Sequence, residues 1–221
     1  MYIEPHRSSP GPFQGVLFDV DGTLIDSADL IADSLERACR LHLGHSHPRE
    51  TYYGLIGKPA IVQMEILGGQ KASEMMDTAV AYYEEHSDRE KTFAGALDTL
   101  ARLSEVGVRL GLVTSKTRME LNPTLRRVPL QTYASVIVTA DLTTRPKPFP
   151  DPVYLALQTL QIAAGDVLFV GDSPFDLQAG RAAGVKTGGA TWGPHPRAIL
   201  EAEHPDFLFR SFRDVLQACE L

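Results

Sequence analysis

Val16-Leu17-Phe18-Asp19-Val20-Asp21-Gly22-Thr23-Leu24-Ile25-Asp26-Ser27 leads an apolar strand into two carboxylates one residue apart, with a glycine and a hydroxyl just behind them. Alternate residues of an extended chain point to opposite sides. Asp19 and Asp21 can therefore divide the work at one centre only if the backbone turns there, and Gly22 permits the turn. One carboxylate can then attack while the other manages protons, as phosphoryl transfer requires. A bare DxDG is also an ordinary acidic turn; the extension to DxDGTLIDS is the rarer and more informative pattern.

Outward from this strand, short β-branched runs alternate with helical stretches, as in βαβ units around a parallel sheet. The runs 15–20, 109–114, 135–139 and 167–171 read as buried strands, and 185–187 and 207–209 as weaker ones. Between the first two lies residues 28–93, with helical periodicity and almost no strand signal. It is too long for one crossover and implies three or four helices. Such an insertion either covers the carboxyl edge of the sheet, where open α/β sheets bind ligands, or thickens the core; periodicity leaves both open. The fold expected is a doubly wound, Rossmann-like α/β parallel sheet with an inserted α-helical cap. Residues 1–12 form a loose tail, 13–27 and 94–221 the core, and 28–93 the cap.

Three more polar clusters follow strands on the same edge. Thr114-Ser115-Lys116 offers hydroxyls and backbone N–H groups that suit a phosphate oxygen. Arg145-Pro146-Lys147-Pro148-Phe149-Pro150 presents Lys147 from a proline-stiffened loop. Gly171-Asp172-Ser173-Pro174-Phe175-Asp176 adds two carboxylates. Carboxylates gathered at one edge repel one another. Mg²⁺, which binds through one or two carboxylates together with substrate phosphate oxygens, is the economical counterion.

At 221 residues the chain buries a substantial core without disulfides. Cys39 and Cys219 have no partner at metal-ligand spacing and read as idle thiols of a reducing compartment. A net charge of −7 argues against a nucleic-acid partner, and no apolar run reaches the length of a membrane span. With no signal-peptide order at the N-terminus, a cytoplasmic enzyme is expected, as monomer or homodimer. Gly57-Lys58 does not complete a P-loop, because Tyr52 and Pro59 occupy its glycine and hydroxyl positions.

These four elements, in this order, resemble the motif set of the haloacid-dehalogenase-like hydrolases. FAGALDTLARLSEVGVRLGLVTSKT, RPKPFPDPVYLAL and GDSPFDLQAGRAAGVKTGGATWG are similar to the phosphoglycolate-phosphatase-like branch. The resemblance implies a Mg²⁺-dependent phosphatase acting on a small phosphorylated metabolite. In it Asp19 would be the nucleophile that carries an aspartyl-phosphate, and Asp21 the general acid and then base. Thr114 and Ser115 would bind the phosphoryl group with Lys147, which also neutralises Asp19. The metal would be held by Asp19, the Asp21 backbone carbonyl and Asp172, with Asp176 assisting from behind. Alternatives on the same scaffold are a phosphomutase, a pyrophosphatase or a silent binding protein.

The sequence departs from that pattern at Asn122-Pro123, where the helix is expected to restart or kink, at Val128-Pro129, and at Asp141, which stands alone where an acidic pair is common. Lys58 lies where cap residues face substrate, which leaves recognition and plain solvation both open. His42, His45 and His47 read as a polar loop rather than a metal site. Met64, Met75, Met76, Tyr82 and Tyr83 read as packing, and the Trp192-Gly193-Pro194-His195 turn as structural.

Overall fold

A computed structural model describes residues 11–221, so most of the expected tail lies outside the described residues. The strands are β1 (Gly15–Phe18), β2 (Ile25–Asp26), β3 (Lys91–Thr92), β4 (Arg109–Val113), β5 (Val136–Val138), β6 (Val167–Gly171), β7 (Lys186–Ala190) and β8 (Phe207–Phe209). Six of them form one parallel sheet in the order β5-β4-β1-β6-β7-β8. The chain winds to one side of β1 and then to the other, so the direction of strand order reverses at β1. A ligand crevice opens beyond the carboxyl ends of the strands at such a point, and there the sequence places Asp19 and Asp21.

Strand alternation sorts the core into two layers. Val16, Phe18, Leu110, Leu112, Leu168 and Val170 pack on one face with helices α5 (Ala96–Glu105), α6 (Arg118–Arg127) and α10 (Phe212–Ala218). Leu17, Val113, Val138 and Phe169 pack on the other with α7 (Asp151–Leu160) and α8 (Pro174–Ala183). A fully buried side chain of this size contributes about 1.5–3 kcal/mol, enough for β1, sealed on both faces, to hold its carboxyl end rigid. The strand β7 is longer than its sequence suggests because Gly188 carries no strand signal. A Cβ there would lie 2.3 Å from the Phe209 ring, so only glycine lets β8 pack so closely. The short α9 (Arg197–Glu201) follows β7.

The insertion contains α1 (Ala28–Leu43), α2 (Arg49–Tyr53), α3 (Ala60–Gly68) and α4 (Ala72–Glu85). It has its own apolar cluster, in which Leu35, Cys39, Tyr52, Met64 and Met75 are buried. The chain leaves the sheet through β2 and returns through β3, and these two-residue strands pair antiparallel as Ile25↔Thr92 and Asp26↔Lys91. His42 lies on α1 and meets Thr78 Oγ1 at 2.7 Å, tying α1 to α4; His45 and His47 follow in the loop.

At Pro123 the helix does not restart, one of the two outcomes expected there; α6 runs through Pro123 from Arg118. Its start is fixed by a complete capping box: Thr117 Oγ1 accepts from Glu120 N at 3.3 Å, and Glu120 Oε2 accepts from Thr117 N at 2.6 Å. Those bonds offset the one that proline cannot make.

Candidate active site

Beyond Phe18, Asp19 N still donates to Val170 O at 2.9 Å, so Asp19 is anchored to the sheet. The chain then folds over Gly22, whose φ of 82° side-chain-bearing residues rarely adopt. Leu24 N and Ile25 N both return to Val20 O at 2.9 Å. This turn brings Asp21 to the same edge as Asp19. Ser27 precedes α1 in the N-cap position but makes no side-chain cap there. Its hydroxyl donates instead to Asp21 Oδ1 at 2.6 Å.

Lys147 is the positive centre of the site. Its Nζ, with the side chain 1% exposed, lies 2.9 Å from Asp19 Oδ1 and 2.5 Å from Asp176 Oδ1, and donates to Val113 O at 3.1 Å. Burial alone would lower its pKa, but Asp176 and Asp19 outweigh that and raise it, so the ammonium persists. Burial, reinforced by Asp176, pushes the Asp19 carboxyl well above its ordinary range against the pull of Lys147. Asp172 is also raised, first by burial, while His195 and Thr23 act in the opposite sense.

Carboxylate oxygens of Asp19, Asp172 and Asp176 lie within 4.8 Å of one another, all buried. Their hydrogen bonds tell them apart. Asp176 Oδ1 takes Lys147, and Oδ2 takes Ser173 Oγ at 2.5 Å and Ser173 N at 3.1 Å within the capping box of α8. Asp172 Oδ1 takes Thr23 Oγ1 at 2.6 Å, but its Oδ2 is buried with no hydrogen-bond partner. An orphaned carboxylate oxygen on a member of this buried acidic cluster suits a hard divalent cation. Asp176, both oxygens already engaged, suits support. The residues present thus fit a divalent metal ion at Asp19 and Asp172, and the Asp21 carbonyl lies on the same turn.

The Trp192–His195 turn does more than close a loop. Trp192 Nε1 donates to Thr23 O at 2.9 Å, and His195 Nδ1 stands 3.8 Å from Asp172 Oδ2. A Cβ on Gly193 would fall 2.3 Å from Asp172 Cβ. The turn presses against the back of Asp172.

Thr114 is buried at the end of β4, its N–H held by Val138 O at 3.0 Å. Ser115 follows, its hydroxyl committed to Gly57 O of the insertion at 2.6 Å. Asp141 takes the Arg118 N–H at 2.9 Å and lies outside the acidic cluster. Above the carboxylates the insertion closes a cavity of ≈ 100 Å³, walled by Leu35, Ile56, Met64, Met76 and Val80 with Lys58 at its lining. Lys58 Nζ sits 4.0 Å over the Phe175 ring centroid, and burial lowers its pKa.

Sequence reasoning missed Lys116, Glu90 and the part played by Tyr83. Lys116 Nζ donates to Asp21 Oδ1 at 2.7 Å and to Tyr83 Oη at 3.0 Å. Burial works to lower its pKa, but Asp21, Tyr83 and Glu90 together raise it. Lys116 adjoins Thr114-Ser115, so the motif held the signal; Glu90 carries none, because nothing in the charged stretch EEHSDREK sets it apart from Glu84, Glu85 and Asp88. Met75 is core, as expected, whereas Met64, Met76 and Tyr83 also line the cavity.

Residues 16–190 match the family model of the haloacid dehalogenase-like hydrolases, and the chain belongs to that family. Among curated relatives, pyrophosphatase PpaX of Anoxybacillus flavithermus is 34% identical over 202 residues, covering 91% of this chain and 94% of its own. PpaX of Bacillus velezensis is 33% identical over the same shares. Among solved structures, a provisionally named phosphoglycolate phosphatase from Lactobacillus plantarum superposes with a TM-score of 0.83 at 28% identity, covering 93% of this chain and 98% of that one. The phosphate complex of CbbY from Rhodobacter sphaeroides, 21% identical, shares the fold with a TM-score of 0.79, over 95% of this chain and 100% of that one.

Proposed function

We propose that this chain is a Mg²⁺-dependent phosphatase that hydrolyses a small phosphorylated metabolite through an aspartyl-phosphate on Asp19. The observation that carries the reading is the placement of Asp19, Asp21 and Lys147 on one buried edge, with Lys147 Nζ 2.9 Å from Asp19. An Asp19 oxygen attacks phosphorus, the bond to the leaving oxygen breaks, and Asp21 gives that oxygen a proton. Asp21, now a base, takes a proton from water as it attacks the same phosphorus, which releases phosphate and frees Asp19. Lys147 and the Thr114 hydroxyl are donors set in advance for the phosphoryl oxygens, where such donors lower the barrier most. Mg²⁺ at Asp19 and Asp172 would supply further neutralisation of the transferring group.

Residues 28–93 act in this reading as a cap that moves on the β2/β3 ribbon against a core of 13–27 and 94–221. Closure excludes water from the phosphoryl centre. The small cavity, with Lys58 at its lining, favours a compact leaving group bearing negative charge. Phosphoglycolate fits that description. Inorganic pyrophosphate fits it too, and the likeness to PpaX pyrophosphatases puts it among the first substrates to try. A Mg²⁺ assay of pyrophosphate, phosphoglycolate, sugar phosphates and a phosphopeptide tests the reading. Compact phosphates should lead, and Lys58→Ala should compress their ranking more than it slows p-nitrophenyl phosphate. A phosphopeptide as best substrate, or no turnover of any compound, would contradict the proposal.

A further inference from the structure

A line of buried polar groups runs from Asp21 away from the reacting edge, and the chemistry above does not use it. Beyond Lys116, Tyr83 Oη donates to Glu90 Oε1. Thr124 Oγ1 donates to the same oxygen at 2.8 Å, and the Arg127 guanidinium pairs with Glu90 Oε2. Lys116 Nζ stands 3.7 Å from Glu90 and 4.7 Å from the Tyr83 ring centroid. Tyr83 comes from the last turn of α4, and Glu90 from the residue just before β3. Lys116 follows β4, while Thr124 and Arg127 lie on α6. The line therefore joins the insertion, its return to the sheet and the core to a single carboxylate.

Buried charges are expensive, and apolar residues would hold the same junction at no greater cost. Lys116 also has little left for a ligand, because Asp21, Tyr83 and Glu90 surround its ammonium. At Asp21 both Ser27 and Lys116 donate to Oδ1, which fixes the carboxylate plane and leaves Oδ2 for the leaving oxygen. We infer that Lys116 is a positioning residue that orients Asp21 for proton transfer, and that Tyr83, held by Glu90, sets Lys116 only when the helical insertion is seated. Acid alignment is thereby coupled to the insertion. This rests on the phosphatase reading.

The test compares kcat/KM on an alkyl phosphate, such as phosphoglycolate, with that on p-nitrophenyl phosphate, for wild type, Lys116→Met and Tyr83→Phe. A nitrophenolate departs without a proton, whereas an alkoxide needs one, and kcat/KM reports the steps up to its release. Both variants should lose on the order of tenfold more on the alkyl ester than on the aryl one, a fraction of the ~10²–10⁴-fold a general acid contributes. Tyr83→Phe keeps the ring, so its result stands if Lys116→Met fails to fold. Equal losses on the two esters, or none on either, would overturn the inference. A wild-type protein inactive on both would remove the phosphatase reading first, and this inference with it.

Discussion

Lys147→Ala probes the site at its most loaded point. The lysine stands between Asp19 and Asp176, at 2.9 and 2.5 Å, and nothing else among the described residues makes an ion pair with either carboxylate. Its loss leaves two buried acids facing each other. Breaking a buried pair by removing one partner costs about 3–5 kcal/mol, and in a chain of this size that lowers Tm by roughly 6–20 °C. The penalty should be largest in chelator and shrink when Mg²⁺ is added, because the unneutralised carboxylates of the variant bind the cation more tightly than those of wild type, and each tenfold gain in affinity returns about 1.4 kcal/mol to the variant alone. Turnover should fall by about 10²–10³, the loss typical of a missing donor to a developing oxyanion. Urea unfolding at pH 7 with chelator and with Mg²⁺, together with phosphate release, measures all three. Adding Asp176→Asn to the variant should recover stability without recovering turnover. A single variant within about 0.5 kcal/mol of wild type in chelator, the range of an ordinary surface change, would refute the account of Lys147.

Gly193→Ala would place a Cβ 2.3 Å from Asp172 Cβ, and displacing a ligand's support costs about 10–100-fold in metal affinity; calorimetric Mg²⁺ titration with wild-type affinity would detach that turn from the metal site. Burial works to raise the Glu90 pKa, but Lys116, Tyr83, Arg127 and Thr124 hold it below its ordinary 4.5. The stability Glu90 contributes is therefore complete above that pH and lost as pH falls through the depressed value, so Glu90→Gln should cost about 1–3 kcal/mol at pH 7 and flatten the acid limb of a stability–pH curve; an unchanged slope below pH 4.5 would count against the network. Ca²⁺ in place of Mg²⁺ should inhibit, since it takes more and longer oxygen contacts and would misplace Asp19; equal rates with the two ions would argue against a metal held at Asp19.

The sheet was legible because its strands are short apolar runs closed by polar motifs, and the motifs fall where a switch-point crevice must lie. Asp19, Asp21, Lys147, Asp172 and Asp176 could be read as one site because each ends a strand or follows one. The ribbon of β2 and β3 could not, since two residues per strand carry no periodicity. Tyr83 looked like packing because an aromatic residue at helical spacing usually packs; its ring instead lines the cavity against Lys116, and its hydroxyl lies 3.0 Å from Lys116. Ser27 followed the rule for a helix-capping residue in type, yet its hydroxyl faces Asp21, a competition settled by tertiary contact rather than by local preference. A helix restart was the wrong half of the expectation at Pro123, because placing proline at a helix start takes no account of a strong cap six residues earlier.

The central claim is that phosphate passes through Asp19. Rapid acid quench during turnover of phosphoglycolate or pyrophosphate with Mg²⁺, followed by peptide mass spectrometry, should find one phosphate on the peptide that contains Asp19. Asp21→Asn should preserve or increase that label with a good leaving group, because hydrolysis lacks its base, and Asp19→Asn should abolish both label and turnover. Full turnover by Asp19→Asn, with no phosphorylated peptide at any time, would contradict the account.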